Sequence, residues 1–430
     1  MITRFVSKIS IPKFASSAIK YAATNFLNAI VPILLLPLLT NYLSKEDYGL
    51  LSIFQVMVMV LLPFIGLNSQ GAVEREFFNN RYDFKQYLSN ALFVLLISGG
   101  FVLLITIFFN NYLSSLTEFP SRLLWLLPVY CFSHNICELL LSFWRVSDRP
   151  TAYGVFRVSR TLVEIALSVL LVTVALRGWE GRMEAMVSAA FIFSGIAAFF
   201  FLRANTIVIK WNSEYIKDIL KFGIPLIPHT LGGIVMVYSD RIFITKMVGL
   251  ADTGIYTVGY QVAMAISLLQ SSFNLAWVPW LYGKLSLNDH AMNIKIVKIT
   301  YWYFLAILIC VAGLTLFTPI IFRFFINQSY HDSIQFVFWI ALAFAFDGMY
   351  KMVVNYIFYL KKTYIISLIT ILIAALNLVL NYFFITWYGA IGAAKATTLC
   401  MFFEFCLVWL ISSRIYSMPW TFRKNTVNLF

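Results

Sequence analysis

Tyr87-Leu88-Ser89-Asn90-Ala91-Leu92-Phe93-Val94-Leu95-Leu96-Ile97-Ser98-Gly99-Gly100-Phe101-Val102-Leu103-Leu104-Ile105-Thr106-Ile107-Phe108-Phe109 contains no charged side chain. About 20 such residues, rising 1.5 Å each as a helix, cross the roughly 30 Å hydrocarbon layer of a bilayer. A strand in a membrane barrel would instead alternate over about ten residues. Similar runs recur along the chain. The reading places spans at 19–40, 48–68, 87–109, 120–141, 155–176 and 185–203, then at 223–245, 256–281, 296–320, 333–357, 363–386 and 389–413.

Composition agrees with these runs. Hydrophobic types make up 61% of the 430 residues and charged types 12%, against about 25% charge in a soluble domain. So much apolar surface has no place to hide in a water-soluble fold. A soluble enzyme, a nucleic-acid binder and a disordered chain are excluded, and a polytopic all-α membrane protein of twelve spans is expected. The halves are read as residues 1–210, with an amphipathic surface segment at Ser7–Ala18 and the start of a linker, and residues 211–430. The polar stretch from Arg203 to Phe222 reads as an interfacial helix joining two six-helix bundles.

The net charge of +13 orients the chain. With the N-terminus inside, basic residues favour the inner side by roughly three to one, as the positive-inside rule requires. Arg122, Arg177, Arg182 and Arg241 fall outside, and only Arg160 and Lys351 remain within spans. Both termini are therefore expected in the cytoplasm. The five cysteines lie in or beside apolar runs without metal-ligand spacing, so they read as small buried hydrophobes. A faint repeat appears when an ungapped shift lays Gln55 on Gln261, Phe54 on Tyr260 and Asn68 on Asn274. Two halves of equal orientation suit a transporter repeat about the membrane normal.

Ionisable groups within spans are costly and face protein or water. Three pairs have the spacing that puts both members on one helix face. They are His134 with Glu138, Arg160 with Glu164, and Asp347 with Lys351. The first two read either as one wet substrate or gating cluster, or as a structural network. Lys351 either meets a diphosphate or is neutralised by Asp347. Pro32 and Pro37 in the first span, and Pro225 and Pro228 in the seventh, bend helices that open at alternate faces. The competing explanation is that proline is simply frequent in membrane helices. Asn25, Asn28, Gln261 and Asn274 can hydrogen-bond sugar hydroxyls or join helices. There is no phosphate loop, metal spacing or nucleophile elbow. The chain therefore reads as a non-enzyme without a cofactor or metal.

Thr40-Asn41-Tyr42-Leu43-Ser44-Lys45-Glu46-Asp47-Tyr48-Gly49-Leu50 resembles the polysaccharide-export branch of the multidrug/oligosaccharidyl-lipid/polysaccharide transporter superfamily. Gly66-Leu67-Asn68, Arg75-Glu76-Phe77-Phe78, Phe222-Gly223-Ile224-Pro225, Ser239-Asp240-Arg241-Ile242, Gly254-Ile255-Tyr256 and Ala276-Trp277-Val278-Pro279 follow the same pattern in the same order. The resemblance covers nearly the whole chain. It implies a V-shaped, MATE-like pair of six-helix bundles in the bacterial inner membrane. It also implies flipping of undecaprenyl-diphosphate-linked oligosaccharide repeat units for O-antigen, capsule or lipopolysaccharide. A polysaccharide polymerase and a chain-length regulator would be partners, alongside membrane lipids. Members bias their cavity toward basic residues, which keeps Arg160 and Lys351 as candidates.

A cation-coupled drug or metabolite efflux protein shares this architecture. H+ or Na+ coupling through Glu138, Glu164 and Asp347 stays open. A membrane polymerase or glycosyltransferase is disfavoured, because neither a sizeable arginine-bearing outer loop nor an acidic sugar-nucleotide motif is present.

Overall fold

The structure is a computed structural model that describes residues 11–420 except 80, 205, 209, 287, 288 and 361. The expected surface segment at 7–18 lies partly outside these residues. From Ile11 onward it is helical and runs straight into the first long helix. The described residues are mostly helical, with no strand among them.

One compact unit ends at Thr257 and a second begins at Val258. The first contains α1 (Ile11–Tyr42), α2 (Lys45–Gly66), α3 (Ser69–Asn79), α4 (Phe84–Phe108), α5 (Asn110–Thr117) and α6 (Leu126–Val146). It continues with α7 (Pro150–Val169), α8 (Gly178–Arg203), α9 (Ser213–Gly223), α10 (Ile227–Met247) and the start of α11 (Leu250–Leu285). The second unit holds the rest of α11, then α12 (His290–Phe325), α13 (Ile334–Tyr359), α14 (Thr363–Tyr388) and α15 (Ala390–Ile415). The compact units thus do not divide at 210/211. Asp218 of α9 bonds Arg75 and Tyr87, and Asn68 Nδ2 donates to Gly223 O at 3.1 Å. These contacts tie α9 to α3, α4 and the α2–α3 turn.

The stretch first quoted becomes α4. Asp83 caps it by accepting from Gln86 N at 2.8 Å, satisfying one of the donors left open at a helix start. One face, with Tyr87, Leu88, Ala91, Leu95 and Val102, is buried. Tyr87, Leu88 and Ala91 share a core with Leu139 and Leu140 of α6 and Phe193 and Ala197 of α8. The other face exposes Leu96, Ile97, Phe101, Leu104 and Phe108, the last by 85%. In water that face would drive aggregation. In hydrocarbon it is simply the lipid contact.

Ten described helices are long and apolar enough to cross a bilayer, or eleven if the broken pair Ser213–Leu226 and Thr230–Met247 counts as one. The expectation of twelve is not reached on this criterion. The fifth expected span corresponds to α7 and its π-helical continuation Leu170–Val174, and Arg157, Arg160 and Glu164 interrupt its apolar character.

The proline pairs behave differently. Pro32 and Pro37 sit inside the continuous α1. Pro225 lies in the 3-10 turn Ile224–Leu226 and Pro228 in the first turn of α10, so only this pair coincides with a break.

The internal repeat has a structural counterpart, one position away from the register expected. Lys45 begins α2 and Leu250 begins α11. The shift that lays Lys45 on Leu250 also lays Gly49 on Gly254 and Ser52 on Thr257. A Cβ on Gly49 would collide with Leu250 O, and one on Gly254 would collide with Lys45 O. Thr257 Oγ1 donates to Ser52 Oγ at 2.8 Å. Equivalent residues thus exchange partners across a local two-fold between Ser52 and Thr257, the mark of an isologous contact. Glycine at both positions lets the backbones meet.

Candidate functional site

In the first unit a cavity of about 370 Å³ is lined by Asn68, Gln70, His134, Asn135, Glu138 and Arg157, among others. The α2–α3 turn forms one wall. Leu67 and Asn68 take the left-handed conformation, with φ of 46° and 50°, which reverses the chain sharply enough for α3 to fold back. Gln70 Nε2 donates to Asn135 Oδ1 at 3.0 Å, and Asn135 Nδ2 donates to Cys131 O at 3.0 Å. These bonds fix the asparagine against α6.

His134 and Glu138 share one face of α6, as their spacing predicts, with His134 Nε2 3.9 Å from Glu138 Oε1. That is too long for a hydrogen bond. Arg160, which is buried, approaches from α7 and donates from Nη2 to His134 Nδ1 at 3.0 Å. A guanidinium can only donate. His134 Nδ1 is therefore the acceptor, and the ring proton sits on Nε2, toward Glu138 and the cavity.

The expected pairing of Arg160 with Glu164 gives way to another. Glu164 accepts from Arg182 Nη2 at 2.9 Å, and Arg182 Nη1 donates to Ser168 Oγ at 2.6 Å. Arg182 belongs to α8 and is buried. Arg157, one turn before Arg160 on α7, lines the cavity instead of Arg160. It bonds the hydroxyl of Tyr153 and lies 5.7 Å from that ring. The three guanidiniums of Arg157, Arg160 and Arg182 face two carboxylates, Glu138 and Glu164, so this region carries surplus positive charge. The signal was present in the sequence. Tyr153, Arg157, Arg160, Thr161, Glu164 and Ser168 recur every three or four residues, making one polar stripe on α7.

Asn25 and Asn28 of α1 meet the same stripe. Asn25 Oδ1 accepts from Tyr153 OH at 3.2 Å, and Asn28 Oδ1 accepts from Thr161 Oγ1. In this arrangement both carbonyl oxygens join α1 to α7.

The second unit has its own cluster. Asp347 Oδ2 accepts from Lys351 Nζ at 2.9 Å and from Gln270 Nε2 at 2.7 Å. The lysine is thereby neutralised, and both side chains of the pair stay partly exposed. Gln270 Oε1 and Asn274 Oδ1 are buried without a donor among the described residues. Gln261 lies half-buried on the same helix, α11. Glu404 on α15, not singled out from the sequence, is 7% exposed. It makes no hydrogen bond or ion pair with another described residue, and Asp347 and Tyr350 lie within its electrostatic reach. A lone carboxylate in a span was the available signal. It has no charged partner at i,i+4, the spacing that marks the other intramembrane pairs. Among the described residues no three His, Cys, Asp or Glu side chains gather to hold a metal ion.

The fold has counterparts among solved structures. An inward-facing multidrug resistance MATE transporter of the MOP superfamily superposes with a TM-score of 0.73 at 13% identity, over 92% of this chain and 94% of that one. The lipid II flippase MurJ in its inward closed conformation gives 0.75 at 13% identity, over 92% and 87%. In sequence, a Lsg locus protein of Haemophilus influenzae is 23% identical over 405 residues, covering 91% of this chain and 98% of that protein. An uncharacterized membrane protein of the same organism is 26% identical over 351 residues, covering 80% and 83%. The sequence pattern of the polysaccharide biosynthesis protein family matches residues 14–283; that is more than half of this multi-pass membrane protein, and the chain belongs to that family.

Proposed function

We propose that this protein carries lipid-linked oligosaccharide repeat units from the cytoplasmic to the periplasmic leaflet of a bacterial inner membrane. The product would serve O-antigen, capsule or a related surface polysaccharide. The observation that carries this reading is the polar cavity of the first unit, set among membrane helices and bordered by surplus positive charge. A diphosphate and several sugars cannot enter hydrocarbon unaided. Arg157 is placed to meet the anion, and His134 Nε2–H, Glu138 and Gln70 offer partners to hydroxyls. Alternating access would move this head group without leaving a continuous leak. In this reading α7 completes twelve spans, its charges turned toward protein and cavity. Both termini lie in the cytoplasm, and a polymerase and chain-length regulator act on the product.

The family membership and the MOP-type fold support a transporter over an enzyme. The test is a deletion strain. It is expected to accumulate lipid-linked repeat units on the inner leaflet and to lose surface polysaccharide. Unchanged leaflet distribution with altered drug sensitivity would favour efflux.

Coupling belongs, in this proposal, to the second unit. Asp347 pairs with Lys351, whereas Glu404, within electrostatic reach of Asp347, has no ion-pair partner among the described residues. The deficit of one positive charge suits uptake of H+ or Na+. Glu404→Gln removes that deficit. Transport by this variant is expected to lose its response to an imposed pH or sodium gradient while yield stays normal. A retained response would remove Glu404 from coupling.

A further inference from the structure

A second cavity, of about 430 Å³, opens where α9 breaks into α10. Arg75, Asp218, Lys221, Phe222, Pro225 and Leu226 line it. We propose that it binds the phosphodiester head group of an anionic bilayer phospholipid, with the lipid's hydrocarbon lying over Pro225 and Leu226.

The polar half of the site is built around Arg75. Its Nη2 donates to Asp218, whose Oδ2 also accepts from Tyr87 OH at 2.8 Å. The guanidinium lies over the Phe222 ring, 4.8 Å from its centre. These contacts hold the group in one orientation and leave the side chain 34% exposed. A guanidinium carries five donors and gives one to Asp218, so others can meet an incoming oxyanion. Lys221, one turn along α9 from Asp218, is exposed and has no ion-pair partner among the described residues. Two cations and one carboxylate leave one positive charge. A phosphodiester brings one negative charge and neutralises it. A prenyl diphosphate would bring more than the site can balance.

The apolar half is equally specific. Pro225 and Leu226 are exposed, and the adjoining Ile224 is exposed by 50%. Trp211, before the same helix, is exposed by 57%. Exposed aromatic and aliphatic groups beside basic residues are the pattern of a helix at the head-group boundary. α9 is also anchored from several directions. Tyr82 OH donates to Glu214 at 3.1 Å, and Asn90 bonds both Lys210 O and Asn212 N. The site is thus framed before any lipid arrives. A lipid seated there would brace the junction at which α10 begins.

The test uses the full chain in detergent, with lipid binding read by native mass spectrometry. The probes are dioleoyl-phosphatidylglycerol, dioleoyl-phosphatidylcholine and undecaprenyl diphosphate. The wild-type protein is expected to prefer phosphatidylglycerol over phosphatidylcholine. Lys221→Glu, on an exposed position, should weaken phosphatidylglycerol by about tenfold with an unchanged melting temperature, the loss of one charge-assisted contact. Arg75→Lys keeps the charge opposite Asp218 but removes the planar fork, and should weaken it by about threefold or more. Equal phosphatidylglycerol affinity in the wild type and Lys221→Glu would overturn the proposal. So would tighter wild-type binding of undecaprenyl diphosphate that both variants lose, since the pocket would then belong to the prenyl lipid.

Discussion

Arg157→Gln is expected to slow translocation by about a hundredfold and leave the protein folded and inserted. The arginine lines the first-unit cavity and has no carboxylate at ion-pair distance among the described residues. Its contacts with Tyr153 leave donors of the fork available. A charge-assisted bond to an oxyanion is worth about 1.5–3 kcal/mol, and a guanidinium can make two in parallel. Losing both costs about two powers of ten or more in affinity. Arg157→Lys should recover only part, because a point charge replaces a planar fork. Arg160→Gln should do less than Arg157→Gln, since Arg160 reaches the cavity only through the ring it orients, His134. The check is the initial translocation rate against detergent-extracted yield for all three variants. Wild-type rates in Arg157→Gln would place the anion elsewhere.

Arg182→Met is expected to collapse the yield of folded protein. Arg182 is the ion-pair partner of Glu164, and both side chains are mostly covered. Removing one member leaves a buried charge unpaired, at a cost of about 3–5 kcal/mol. That is a large part of the total stability of most folds. The double change Arg182→Met, Glu164→Leu should restore most of the yield, because two apolar groups can replace a buried pair at little net cost. Measuring yield and melting temperature for both singles and the double decides the matter. If the double stays as poor as the singles, these residues hold more than each other.

Arg157 and Glu164 show that α7 presents two kinds of charge, one open to the cavity and one paired with α8. Its polar stripe was visible as a spacing, but spacing does not say which neighbouring helix supplies each partner. Arg160 and Glu164 satisfy the i,i+4 rule and still bond elsewhere, to His134 of α6 and Arg182 of α8. Contacts between helices outweigh those along one helix, because an intrahelical ion pair contributes only a few tenths of a kcal/mol. Asp347 and Lys351 do pair along α13, helped by Gln270 from α11.

The fold was more legible than the site. The stretch read as a span at 87–109 forms a helix at Phe84–Phe108, since its length and lack of charge leave few alternatives. Charge counting puts Arg182 on the outer side near a span end and says nothing of its burial or its partner Glu164. Its burial depends on packing between α7 and α8, which hydropathy cannot show. The repeat was read one position out because apolar sequence matches itself in several registers. The helix starts at Lys45 and Leu250, and the reciprocal glycine contacts, fix the register.

The proposed activity is translocation of a lipid-linked oligosaccharide. Its most direct test is purified protein in proteoliposomes that carry such a lipid in both leaflets. Periodate added outside oxidises only outward-facing glycans. With the protein present, the protected fraction is predicted to shrink toward zero with time, while in protein-free vesicles and with Arg157→Gln it stays near half. A protected fraction that stays near half with the wild-type protein, in vesicles across which the same preparation exports a cationic drug, would contradict the account.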